Sequence, residues 1–166
     1  NLLRHVSNIK DGANGSNIGR AKYMDINGDG NLILPQNNIT RAEMAAVLVR
    51  LLGATENTDL SSYQDVDPAA WYCAELSAAV AAGIFGGLSA TEMQPNTHIT
   101  REQAVVVLCR AFGLAENDKA AYQEFTDYRK ISGYARDCVS ALKEMKLVNG
   151  YEDGTLLPQN PITRAE

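Results

Sequence analysis

One five-residue phrase occurs three times in this chain: Ile39-Thr40-Arg41-Ala42-Glu43, Ile99-Thr100-Arg101-Glu102-Gln103 and Ile162-Thr163-Arg164-Ala165-Glu166. Such repetition constrains the fold strongly, because each copy must start the same local structure and find an equivalent neighbour. The local structure is a helix start. A threonine at the N-cap accepts from the N–H three residues on, and the Glu or Gln there reaches back to the threonine's own N–H, forming a capping box. Helical apolar runs follow the first two copies, over 39–52 and 99–112, with Gly53 and Gly113 placed to stop them. Capping accounts for the threonine and the acid or amide but not for the arginine. Arg41, Arg101 and Arg164 fall at N1, beside the positive end of the helix dipole, where a cation costs roughly 0.3–1 kcal/mol. Two explanations stand side by side. The arginine is half of an anion site shared with unpaired helix N–H groups, or it forms a salt bridge to an acidic residue of a neighbouring repeat.

The chain has 166 residues, 45% hydrophobic and 21% charged, ample for a folded core. Its net charge of −5 and the lack of a basic stripe argue against nucleic acid as a partner. No apolar run approaches the roughly 20 residues needed to cross a bilayer, so membrane insertion is not expected. The first residues read as the end of a helix and the last five as a cap with no helix behind it, so the chain looks cut from a longer one at both ends. Cys73, Cys109 and Cys138 each sit in an apolar helical pattern without metal-ligand spacing, which predicts buried free thiols.

A glycine-rich stretch from Lys10 to Gly19 separates the first segment from Asp25-Ile-Asn-Gly-Asp-Gly. Asp25, Asn27 and Asp29 occupy positions 1, 3 and 5 of an EF-hand-type loop, with Gly30 at the sharp turn. Position 12 is Gln36 and not a bidentate Glu, and Pro35 interrupts the expected exit helix. Calcium and a plain Asx/Gly turn are both open here. Between the two long helices the pattern predicts another helix over Trp71–Ala82, with Asp67-Pro68 as its N-cap and N1. Trp71 aligns with Tyr134, Pro95 with Pro158, and Thr100 with Thr163, all at a common offset of 63 residues. Two helices per period of about 60 residues describe a tandem repeat whose units bury their faces against one another.

The succession Tyr63-x-Asp65-Val66, Trp71, Gly83-Ile84, Pro95, Ile99-Thr100-Arg101 resembles the S-layer homology (SLH) repeat. So does Phe125-x-Asp127, Tyr134, Gly150-Tyr151-x-Asp153-Gly154, Pro158, Ile162-Thr163-Arg164-Ala165-Glu166. The resemblance implies an all-α domain of three two-helix repeats with pseudo-threefold symmetry. Its parts would be residues 1–58 (a partial first repeat with the glycine-rich insert), 59–119 (a complete repeat) and 120–166 (a third repeat ending at its motif). It also implies a non-catalytic module at the bacterial cell surface that binds an acidic, often pyruvylated, cell-wall polysaccharide in grooves at the starts of the motif helices. By position the glycan-binding arginines would be Arg41, Arg101 and Arg164. The first repeat lacks the Asp…Trp opening, and the third has Tyr134 for Trp and Lys146 for Gly, so fewer than three working grooves are expected.

Asp65 and Asp127 either take a sugar hydroxyl or cap the following turn. Trp71 and Tyr134 either stack on a sugar ring or close a small core, with core the expected role for residues opening an amphipathic helix. Two other classes compete with the anchor. A calcium-dependent protein–protein or surface-layer assembly module, in contact with other copies or domains of the parent protein, would need a second loop like that at 25–30. A glycosidase would need paired carboxylates in a defined geometry, and no nucleophile–base pattern stands out. No cofactor is required by the anchoring reading, and calcium is optional to it.

Overall fold

The computed structural model describes residues 34–114 and 120–166. Among these residues four α-helices form: α1 (Arg41–Leu52), α2 (Cys73–Ala81), α3 (Arg101–Ala111) and α4 (Arg136–Glu144). Three short 3-10 turns, Ala120–Glu124, Tyr128–Lys130 and Gly133–Ala135, lead up to α4. Among the described residues there is no β-strand, only isolated bridges at Asn38–Thr163 and Thr100–Pro161. The fold is all-α, as the repeated helix starts require. Asp25, Asn27 and Asp29 lie outside the described residues.

The helix starts follow local chemistry. Thr40 Oγ1 accepts from Glu43 N–H at 3.2 Å, and Glu43 Oε2 accepts from Thr40 N–H at 2.8 Å. Thr100 and Gln103 repeat this at 3.4 and 3.2 Å. Gly53 ends α1 in the left-handed conformation that glycine adopts without steric penalty. The helix at Trp71 is shorter than its pattern predicts. Asp67 Oδ1 accepts from Ala69 N–H at 2.8 Å and the Asp67 carbonyl from Ala70 N–H at 3.0 Å, closing a separate turn. Asp67-Pro68 therefore shapes that turn, and α2 begins at Cys73 without a side-chain cap. The short Asx turn satisfies the aspartate locally and so competes with capping.

The described residues form two compact units: 34–97 together with Thr163–Glu166, and those within His98–Ile162. In the first, α1 packs with α2, and Ala42, Ala45, Leu48, Leu76, Ala79 and Met93 are buried. In the second, α3 packs with α4 around Val105, Val106, Cys109, Phe125, Ile131, Cys138, Val139, Leu142 and Leu156. Val105, Val106 and Val107 are all buried, so packing overrides their weak helix propensity. None of the three cysteines is in a disulfide; Cys109 and Cys138 are buried, and Cys73, expected to be buried, is half-buried.

The units do not follow the repeat boundaries, for a specific reason. The first two helical N–H groups of each motif donate to carbonyls of another repeat's proline loop. Arg41 and Ala42 N–H donate to Thr97 and Pro95 carbonyls, both at 2.9 Å. Arg101 and Glu102 N–H donate to Asn160 and Pro158 at 2.9 and 3.0 Å. Arg164 and Ala165 N–H donate to Asn37 and Pro35 at 2.9 and 3.0 Å. Each motif thus fills its orphan donors with backbone oxygen from a loop far away in sequence.

Candidate functional site

The receiving loops share an unusual backbone. Leu34, Gln94 and Leu157, each just before a proline, have φ of 50°, 52° and 53°. Left-handed φ at a non-glycine residue costs roughly 1–2 kcal/mol, so it persists only where the surroundings hold it. Asp65 and Asp127 supply the hold in two of the three loops. Asp65 accepts from Met93 and Gln94 N–H at 2.9 and 2.6 Å, and Asp127 from Leu156 and Leu157 N–H at 2.8 and 2.9 Å. Desolvation pushes the Asp65 pKa up, but those N–H bonds and the Arg41 charge outweigh it and hold the carboxyl below its usual value. Both aspartates thus cap a loop some 30 residues downstream, not the following turn.

Equivalent glycines stand at the mouths of these loops. A Cβ on Gly150 (φ +76°) would lie 2.6 Å from the Thr155 carbonyl oxygen and 2.7 Å from the Phe125 ring. One on Gly87 would lie 2.5 Å from the Tyr63 ring. The aromatic two residues before each aspartate therefore packs directly on backbone, which only glycine permits.

The three arginines meet different surroundings. Arg41 is 3% exposed; its Nε donates to the Met93 carbonyl and its Nη2 to the Gly86 carbonyl, both at 2.9 Å, with the guanidinium 5.3 Å from the Phe85 ring. Arg164 donates from Nη2 to Glu43 Oε1 at 2.5 Å, and both side chains are largely buried. Here the neighbouring-repeat salt bridge foreseen for the arginine is realised. Glu43 also serves its own capping box through Oε2, so one carboxylate joins two motifs.

Arg101 is placed otherwise. Its guanidinium lies 4.8 Å over the Tyr151 ring and donates to the Tyr151 hydroxyl, and Tyr151 is an exposed aromatic. The next residue, Glu102, is buried and accepts from the Tyr134 hydroxyl at 2.9 Å. Tyr134 is 58% exposed and Trp71 is 45% exposed. Neither closes a core, contrary to the expectation for helix-opening aromatics; each precedes its α-helix and is exposed. The first helical N–H groups, expected to face an anion, are already bonded to loop carbonyls. The sequence names Tyr151 only as part of the repeat motif and gives it no site role. The clue was there: Leu88 is its counterpart in the preceding repeat, so the change from leucine to tyrosine at this position accompanies Arg101 and not Arg41.

The repeated motif, proline loop and aspartate clamp are matched by a family model for the S-layer homology domain, over residues 26–45, 62–105 and 124–166. The chain belongs to the S-layer homology family. It is 34% identical over 146 residues to the surface-layer 125 kDa protein of Lysinibacillus sphaericus, covering 86% of this chain and 12% of that protein. It is 30% identical over 142 residues to a cellulosome-anchoring protein of Acetivibrio thermocellus, covering 82% and 32%. An amylopullulanase of Thermoanaerobacterium thermosulfurigenes is 32% identical over 135 residues, covering 80% and 7%. The chain therefore spans a third or less of these relatives. Relatives named as enzymes match only through their SLH region, so the shared part is the SLH module and not a catalytic domain. SLH membership puts this chain at the bacterial cell surface. No helix among the described residues is long and apolar enough to cross a membrane.

Proposed function

We propose that this SLH chain anchors its parent protein to the cell wall by binding an acidic, pyruvylated wall polysaccharide, with Arg101 at the centre of the working site. The observation that carries this reading is the juxtaposition at the start of α3. A guanidinium stacked on exposed Tyr151 lies one residue from a carboxylate that grips exposed Tyr134. Aromatic faces pack on the apolar C–H face of a sugar ring, and a guanidinium offers paired donors to a carboxylate. Because the chain carries a net charge of −5, long-range attraction to a polyanion is adverse and short-range contacts must supply the affinity. Arg41 and Arg164, already engaged with carbonyls and with Glu43, contribute chiefly to the fold.

The test is cosedimentation of the 166-residue chain with purified wall sacculi that retain their covalently attached polysaccharide, and with sacculi stripped of it. Retention only on the first supports the reading. Equal retention on both, or on neither, overturns it. Calcium is tested alongside by repeating the assay in chelator, where binding through Arg101 should persist.

A further inference from the structure

Glu102 stands where the other two motifs have alanine, at Ala42 and Ala165. It is 2% exposed, and burying a carboxylate is costly unless donors surround it. All of its recorded donors come from one short segment. Ser132 N–H donates to Oε2 at 2.9 Å, Ser132 Oγ to Oε1 at 2.7 Å, and the Tyr134 hydroxyl to Oε1 at 2.9 Å. Gln159 Nε2 adds a brace behind them, donating to the Lys130 carbonyl at 3.2 Å and lying 3.4 Å from Ser132 Oγ. In the preceding repeat the three matching positions are Ala42, Ala69 and Trp71. That set has no carboxylate, no hydroxyl on the turn and no phenol. The three changes make sense only together: the acid needs both hydroxyls, and the phenol needs an acceptor.

We propose that Glu102 is a positioning residue of the Arg101 site, fixing the tilt of Tyr134 so that its exposed ring forms a preset platform for a sugar face. This inference rests on the carbohydrate-binding reading above and deepens it. The phenol has two rotatable torsions, and its hydroxyl proton is directed at Glu102, so the ring cannot swing without breaking a charge-assisted bond. Binding then avoids part of the entropy cost of ordering that side chain. The Tyr134 oxygen, having directed its proton to Glu102, meets other groups only as an acceptor, which favours a ligand hydroxyl or amide N–H over a second carboxylate at this edge.

The experiment is a double-mutant cycle of Glu102→Ala and Tyr134→Phe, with Glu102→Gln added, in which affinity for polysaccharide released from sacculi is measured by calorimetry. Far-UV circular dichroism first establishes that each variant is folded at the assay temperature. Tyr134→Phe keeps the ring and deletes the hydroxyl, its bond to Glu102 and its acceptor for the ligand, so a merely structural role for Glu102 would not be reproduced by it, and the coupling in the double variant isolates the shared part. Each single change should weaken binding about three- to tenfold, the range for one hydrogen bond. The double variant should be no weaker than the worse single, because both remove the same constraint. Glu102→Gln, which keeps one acceptor oxygen, should fall between wild type and Glu102→Ala. Wild-type affinity in folded Glu102→Ala, or in Tyr134→Phe, overturns the inference, as do additive effects. If Glu102→Ala fails to fold, Glu102→Gln and Tyr134→Phe replace it in the cycle. Absence of binding by the wild type overturns the functional reading itself, and so separates the two failures.

Discussion

Arg41 and Arg101 occupy the same motif position, yet their surroundings demand opposite phenotypes. Replacing Arg41 with alanine deletes two 2.9 Å bonds to the Met93 and Gly86 carbonyls and a cation–π contact with buried Phe85. An orphaned buried carbonyl costs about 1–3 kcal/mol, and the lost ring contact about 0.5–2. These terms are not additive, and a loss of about 3–5 kcal/mol is expected from the two orphaned carbonyls and the ring contact together. At about 2–4 °C per kcal/mol for a chain of this length, the melting temperature should fall by roughly 6–20 °C. Replacing Arg101 removes a contact with an exposed tyrosine, worth about 1 kcal/mol to the fold. Its larger effect should be on glycan binding, about 1.5–3 kcal/mol or roughly ten- to a hundredfold in affinity. Thermal melts followed at 222 nm, paired with polysaccharide calorimetry, read both quantities on the same samples. If Arg41→Ala melts like wild type while Arg101→Ala unfolds, the assignment of fold to one and recognition to the other is wrong.

Four further outcomes follow from the backbone and the charges. Gly150→Ala should destabilise by about 2–4 kcal/mol in urea titration, from left-handed φ plus overlap with Thr155 and Phe125. Gly83→Ala, at φ +71° but with nothing within 4 Å, should cost only about 1–2. Lys146 holds φ +59° where the preceding repeat has Gly83, so Lys146→Gly should raise the melting temperature by a few degrees, about 1 kcal/mol. Because the Asp65 carboxyl is held below its ordinary value near 3.8, its contribution is complete above that value and lost as the pH falls through the folded pKa. Asp65→Asn should therefore lower stability at neutral pH and shrink the drop in melting temperature between about pH 4 and pH 2. An acid limb unchanged by the substitution would count against the clamp.

What could be read from the sequence divides by distance along the chain. The capping boxes at Thr40 and Thr100 close within three residues, and their geometry followed from residue type alone. The all-α class followed from them and from the period. Asp65 and Asp127 were visible as motif residues, but their donors lie 28–30 residues away, and nothing local announces a clamp on a strained loop. Asp67-Pro68 was misleading because the same dipeptide suits a helix start and an Asx turn. Trp71 and Tyr134 read as core since periodicity reports which residues share a face, not which side chains are left uncovered. The Glu102–Ser132–Tyr134 cluster was detectable only by comparing repeat with repeat, where three unlike pairs change together.

The shared docking chemistry creates a hazard of mistaken identity. Three nearly identical peptides seek three nearly identical receivers, and the backbone bonds are the same in each pairing: two N–H groups onto a proline carbonyl and one two residues on. Those bonds alone carry no information about which peptide belongs where. The arginines do. Arg41 meets Phe85 and bare carbonyls, Arg101 meets a tyrosine, and Arg164 meets the carboxylate of Glu43. Each is a lock cut to a different key. A chain in which all three receivers were made alike would keep every backbone bond yet lose its means of rejecting the wrong partner, including the matching segment of a second molecule. Its expected failure is not unfolding but misassortment, seen as segment-swapped oligomers at high concentration.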